Sequence, residues 1–208
     1  MKRFSLIIIF LGIFLAYFLV SIPFYSGDLK NHLVWAKSIL DSGMLGFYDR
    51  KFLGFEYPNY PPLTMILFSF SLLIYNLSNV VAHFGKEFFH IIPGRVIIFL
   101  ESYNTLMAFL KFPAFLGLFL TSFFAVKYLS LKTELKSKDK ILVMLAILLN
   151  PALFYVTVVW GQIDLLQIGF LLGAVYLLLR GQKYSSYILA AFSLLTKQII
   201  IEIGRAHV

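Results

Sequence analysis

The 208-residue chain is 60% hydrophobic and only 13% charged, about half the charge of an ordinary soluble domain. Its net charge of +8 is not gathered into an aromatic-interleaved patch, which argues against a nucleic-acid partner; the basic residues stand instead beside the ends of apolar runs, where membrane topology puts them. With no cysteine, disulfides and thiolate chemistry are excluded.

The start, Lys2-Arg3 followed by an apolar run from Phe4 to Ile22, has a signal-peptide-like charge pattern. The run is too long for an h-region and no small-residue cleavage site follows, so the pattern predicts a retained first helix over 4–22 with its N-terminus in the cytoplasm. Next comes "FYSGDLKNHLVWAKSILDSG", in which Leu29, Leu33, Ala36 and Leu40 recur at helical spacing. This predicts an amphipathic helix on the membrane surface, stopped at Gly43. Pro61-Pro62 then marks a helix N-terminus, where missing N–H groups cost least.

Topology follows from charge. Lys127, Lys132, Lys136, Lys138 and Lys140, set against Glu134 and Asp139, make the densest basic loop and place it in the cytoplasm. The helix over 112–129 runs into that loop, so it enters from outside, as the first helix leaves to the outside. Residues 23–111 must then make no net crossing. The preferred reading puts 61–82 and 96–110 in or near the outer interface rather than across the bilayer, because Glu101 and Asn104 burden the second segment. Further helices are expected over 141–159, interrupted at Asn150-Pro151, over 165–179, and over 184–200. The fold class is therefore all-α: a polytopic transmembrane helix bundle with a long, partly helical first external loop over 23–111.

This topology collects Asp28, "YPPL", "VVWGQID" and Lys197 at the outer face. A Trp-Gly-Gln and a carboxylate are costly inside a bilayer but not at an outer turn, where Gly161 breaks the helix and Asp164 starts the next. Asp28 is either an N-cap or a carboxylate held at the lipid–water boundary as a general base. Lys197 either snorkels or, with Gln198, binds a phosphate. Gln162 and Asp164 hydrogen-bond sugar hydroxyls, hold the neighbours of Asp28, or only cap the inward helix. Trp160 stacks on a sugar or anchors at the interface, and Tyr57 and Tyr60 share that ambiguity, leaning towards packing. His32 reads as a surface histidine, and Asp49, Arg50 and Glu56 as loop charges. Asn76-Leu77-Ser78 fits a glycosylation sequon, relevant only in a eukaryotic host. No metal-ligand spacing is present; the expected cofactor is none, with a cation between Asp28 and Asp164 left open.

Four stretches in this order, "YSGDLKNHLVWA", "YPNYPPLT", "LNPALFYVTVVWGQID" and "LLTKQ", resemble polyprenyl-phosphate-sugar-dependent glycosyltransferases of the GT-C superfamily. The second is similar to the Tyr-Pro-Pro-Leu-Thr of the lipid-linked-oligosaccharide glucosyltransferases. The third is similar to a motif of prokaryotic relatives of the GPI-anchor second mannosyltransferase. The resemblance spans 25–198 and implies a reaction in which Asp28 takes the proton of an acceptor hydroxyl. That hydroxyl attacks the anomeric carbon with inversion, and a polyprenyl phosphate leaves. It implies Lys197 and Gln198 on the donor phosphate, and a lipid-linked, glycan or protein acceptor. It also implies a multi-pass integral protein of the plasma membrane in a prokaryote, or of the endoplasmic reticulum in a eukaryote, with membrane lipids around it and the active site extracytoplasmic.

The competing classes are a lipid-linked-sugar transporter or flippase, and a non-catalytic membrane subunit. Residues 1–202 read as the N-terminal part of a GT-C-like module, and 203–208, "IGRAHV", as the artefactual translation of a sequencing adapter.

Overall fold

A computed structural model describes residues 2–197, with side chains from Phe10 onward. Among the described residues the chain is all helical: α1 (Lys2–Ser21), α2 (Gly27–Ser42), α3 (Pro62–Glu87), α4 (Gly94–Glu101), α5 (Tyr103–Leu110), α6 (Phe112–Lys132), α7 (Ser137–Leu148), α8 (Pro151–Phe154), a π-helical segment (Tyr155–Trp160), α9 (Asp164–Leu179) and α10 (Lys183–Thr196).

Among the described residues two helices are long and apolar enough to cross a membrane, Pro62–Glu87 and the near-continuous Tyr103–Lys132. A third crossing is available if Ser137–Leu148 and Pro151–Trp160, bent by 50°, count as one span. This is the composition of a membrane protein. α9 and α10 are shorter: 16 residues of helix reach about 24 Å, short of the ~30 Å apolar layer.

Local signals explain most boundaries. Asn150 Oδ1 accepts from the backbone N–H groups of Ala152 and Leu153, so Asn150-Pro151 closes one helix and caps the next. Gly43, at φ +72°, ends α2. The reading of 23–111 as a long loop gives way to a helical layer. α3 is one 26-residue helix apolar enough to cross, where the sequence suggested an interfacial segment. The helix expected from 112 is preceded by α5, so the rod begins at Tyr103, nine residues earlier. α4 ends at Glu101, and Ser102 Oγ caps the α5 N-terminus by accepting from the Thr105 N–H.

Helix directions follow from the contacts. Phe10 meets Phe119, Phe14 meets Phe115, and Phe18 meets Phe109, so α1 and the α5–α6 rod run antiparallel. α6 and α9 run parallel: Gly117 abuts Leu166, Gly169 abuts Leu120 and Thr121, and Gly173 abuts Phe124. α10 returns antiparallel, with Ser186 Oγ donating to the Ala174 carbonyl and Ser193 Oγ to the Gln167 carbonyl. As a result the α1–α2 junction, the π segment, the start of α9 and the end of α10 meet at one end of the bundle. The apolar stripe of α2 (Leu29, Trp35, Ala36) packs on Met65, Phe68 and Leu72 of α3 at the same end.

Candidate functional site

The site is built at that end from four stretches far apart in sequence. The Val156-Thr157-Val158-Val159 run is β-branched, which weakens regular α-helix, and Thr157 Oγ1 donates back to the Leu153 carbonyl (2.6 Å). Here the helix widens to π geometry and ends at Gly161, φ +84°. Glycine is required there twice over. Only glycine takes that φ without strain, and a Cβ would press on Lys111 Cγ and Leu29 Cδ1 at 3.0 and 3.1 Å.

The carbonyls that this helix end leaves without N–H partners are taken by Lys111. Its ammonium, fully buried, donates to Val158 O (2.9 Å), Val159 O (3.1 Å), Ser21 O (3.0 Å) and Phe24 O (2.5 Å). Lys111 thus ties the end of α1 to the Trp160-Gly161-Gln162 turn. Sequence reasoning missed it, since a lysine at a helix junction looks like a topology marker. The available signal was a lone lysine between two apolar helices.

The turn carries two donors to one carboxylate. Gln162 Nε2 donates to Asp28 Oδ2 at 2.9 Å, and Trp160 Nε1 donates to the same oxygen at 3.3 Å. Asp28 is not the N-cap of α2. That position belongs to Ser26, whose Oγ donates instead to the Trp160 carbonyl (3.0 Å). Asp28 lies in the first turn, where the helix dipole favours a negative charge.

Asp164 opens α9 and forms an ion pair with Lys197, which follows α10 in extended conformation. Both partners are partly exposed, with 20% of the Lys197 side chain and 39% of Asp164 accessible. The Lys197 carbonyl accepts from Gln167 Nε2 (2.7 Å), and the Thr196 carbonyl accepts from Thr64 Oγ1 (2.6 Å). The "YPPL" stretch is thereby fastened to the end of α10.

Tyr60 stands between these groups. Lys197 Nζ lies 5.7 Å from its ring centre. Burial, then the carboxylates of Asp164, Asp28 and Glu56, push its phenol up to about 12, so Tyr60 stays a neutral hydroxyl at physiological pH. Tyr57 is 61% exposed. Gln198 and residues 203–208 lie outside the described residues.

Two expectations are corrected. His32 is not a surface histidine: it is 2% exposed and stacked on Phe68 at 4.1 Å, with Tyr60 edge-on at 5.3 Å. Burial, then the Lys197 charge, hold its imidazole neutral, down to about 3. Arg50 is not a loose loop charge, because its guanidinium donates to the carbonyls of Ser38, Ser42, Gly43 and Leu45 and closes the α2 C-terminus. Glu56 is an exposed loop residue, as expected, and its backbone carbonyl accepts from Trp35 Nε1 (3.0 Å).

The arrangement therefore holds one accessible carboxylate oriented by two donors, a lysine–carboxylate pair, a neutral phenol and a neutral imidazole. Among the described residues no group of three or more His, Asp or Glu is placed to hold a metal ion. No family model, curated protein or solved structure matches this chain.

Proposed function

We propose that the chain carries the catalytic site of a multi-pass membrane glycosyltransferase. It would transfer a hexose from a polyprenyl-phosphate donor to an acceptor hydroxyl, with inversion, at the extracytoplasmic face. The observation that carries this reading is the carboxylate of Asp28, held by Gln162 and Trp160 at the same end of the bundle as the Asp164–Lys197 pair.

The chemistry needs a base, a cation and a place beside both for an anomeric carbon. Donors to one carboxylate oxygen fix the group's orientation, and the second oxygen is left to accept the proton of an attacking hydroxyl. Gln162 and Trp160 are the orienting pair; Trp160 also offers its face to a sugar. Lys197 is the cation for the departing phosphate, paired with Asp164 until a donor competes for it. An ammonium on a phosphate stabilises the charge that develops as the glycosidic bond breaks. Tyr60, kept as a phenol, supplies a hydroxyl beside the same pair.

The membrane arrangement fits this reaction. α2 carries Asp28, Lys30, His32, Lys37 and Asp41, too many polar groups to cross a bilayer. Because the first turns of α3 pack against it, the α2–α3 pair is read as lying at the outer interface despite the apolar length of α3. α1, α6, the bent α7–π unit, α9 and α10 then cross in alternation, the two shorter helices α9 and α10 where the bilayer thins locally to match them. An apolar groove of about 290 Å³ between α1, α3 and the α5–α6 rod, walled by Phe14, Phe18, Ile74, Phe109 and Phe112, suits an isoprenoid tail. In a prokaryote the membrane would be the plasma membrane, and in a eukaryote the endoplasmic reticulum.

The test is transfer of radiolabelled mannose or glucose from its polyprenyl-phosphate donor by the complete gene product in proteoliposomes. Label entering an acceptor hydroxyl on the outer side supports the reading. Donor moved across the bilayer with its glycosidic bond intact would mark a transporter and overturn it.

A further inference from the structure

An open groove of about 430 Å³ lies beside Asp28, between Pro23, Phe24, Tyr25 and Ser26 on one wall and Tyr155, Val159 and Trp160 on the other. Trp160 is the shared partition, lining the groove while its indole N–H donates to Asp28.

The second wall depends on the π-helical winding. In an α-helix, residues five apart stand about 140° apart around the axis, so Tyr155 and Trp160 would face different ways. With i→i+5 geometry their rings come edge to face at 6.3 Å between centres. Short π segments recur at functional sites, and this one creates an aromatic wall that regular helix could not.

The walls are stapled rather than merely adjacent. Lys111 donates to Phe24 O on one side and Val159 O on the other, and Ser26 Oγ donates to Trp160 O across the gap. The rings remain available, with Tyr25 39%, Trp160 43% and Tyr155 55% exposed.

We propose that this groove is a carbohydrate subsite, which takes the acceptor as a glycan whose pyranose ring stacks on Trp160 and Tyr155. The inference rests on the glycosyltransferase reading and narrows its acceptor from any hydroxyl to a saccharide. The C–H face of a pyranose carries partial positive charge and suits the negative face of an aromatic ring. Ser26 and the two tyrosine hydroxyls supply hydrogen-bonding partners at the rim, the mixed lining expected of a small-molecule site. The lining residues carry no charge; the neighbouring Lys30 reaches only the Tyr25 ring, at 5.8 Å. That argues for a neutral ligand over a phosphate headgroup. A ring stacked on Trp160 brings a hydroxyl to the carboxylate that the same indole touches.

The experiment uses the full chain in lipid nanodiscs prepared without glycosidic detergent. Trp35 is buried, so the difference between the wild type and Trp160→Phe isolates the Trp160 emission. Methyl α-D-mannopyranoside, methyl α-D-glucopyranoside and mannobiose are titrated, with phosphocholine as the headgroup probe. A saturable change with at least one saccharide is expected, weakened about fivefold by Tyr155→Ala and by Tyr25→Ala and retained in Tyr155→Phe. No saturable change with any saccharide, affinity unaffected by Tyr155→Ala, or a Tyr155-dependent response to phosphocholine alone would overturn the proposal. Saccharide binding without any transfer would overturn the reaction and leave the groove. Transfer without saccharide binding would do the reverse.

Discussion

At the α6–α9 seam, Gly117 brings one backbone against another so closely that a Cβ would strike the Leu165–Leu166 peptide, and a Cβ at Gly169 would come within 2.9 and 3.0 Å of Leu120 and Thr121. At the polar end neighbouring segments are joined instead through ammonium, carboxylate and carbonyl groups: Lys111 to the end of α1 and to the π segment, and Asp164 of α9 to Lys197. Small residues let helices approach where the hydrophobic effect cannot drive them together, so the seam holds by shape. The polar end holds by charge-assisted hydrogen bonds, which weaken steeply when one partner is lost. A seam of this kind gives a rigid frame, on which the polar end orients its charged and amide groups.

Perturbing the two regions should separate them. The largest loss of stability is expected from Lys111→Met, which leaves four carbonyls without their donor. The cost is on the order of 3 kcal/mol or more, read as a lowered thermal midpoint in detergent. Gly117→Ala should come next, at about 1–3 kcal/mol from overpacking against backbone that cannot yield; an unchanged midpoint would mean the seam is looser than its contacts imply.

His32 gives a third, pH-dependent test. Its folded-state value of about 3 lies below the ordinary 6.5, so between those pH values the unfolded chain holds a proton that the folded chain lacks. Its contribution is complete above about pH 6.5 and is lost as pH falls towards 3, at up to about 1.4 kcal/mol per pH unit. His32→Phe should flatten that part of the stability profile; an identical slope would show that the imidazole titrates in the folded state. The smallest stability change belongs to Lys197→Ala, because a partly exposed ion pair contributes only about 0–1 kcal/mol. Its effect should emerge instead as weaker binding of the polyprenyl-phosphate donor.

Local chemistry made much of this legible in the sequence. The break at Asn150-Pro151, the stops at Gly43 and Gly161, and the start of α9 at Asp164 each follow from what one or two residues can do. The gathering of Asp28, Tyr60, Gln162, Asp164 and Lys197 was also foreseen, because polar groups in an apolar chain have few places to go. Pairings across long separations were not. The burial of His32 depends on α3 folding back over α2 through a long connection, and the clamp of Lys111 depends on carbonyls released by a π segment that no periodicity announces. Asp164 was expected to hold a sugar, to hold the neighbours of Asp28 or to cap its helix; that it partners Lys197 follows only once α9 and α10 lie antiparallel.

The central claim is that Asp28 is the base of a sugar transfer. The direct measurement is the initial rate of transfer from the polyprenyl-phosphate donor in wild type and Asp28→Asn, at matched protein levels and thermal midpoints. The amide oxygen of the substituted side chain can still accept from Gln162 and Trp160, so the fold should survive. A loss of about 10²–10⁴-fold in rate is expected, with donor binding retained. A rate within a few fold of wild type would contradict the claim.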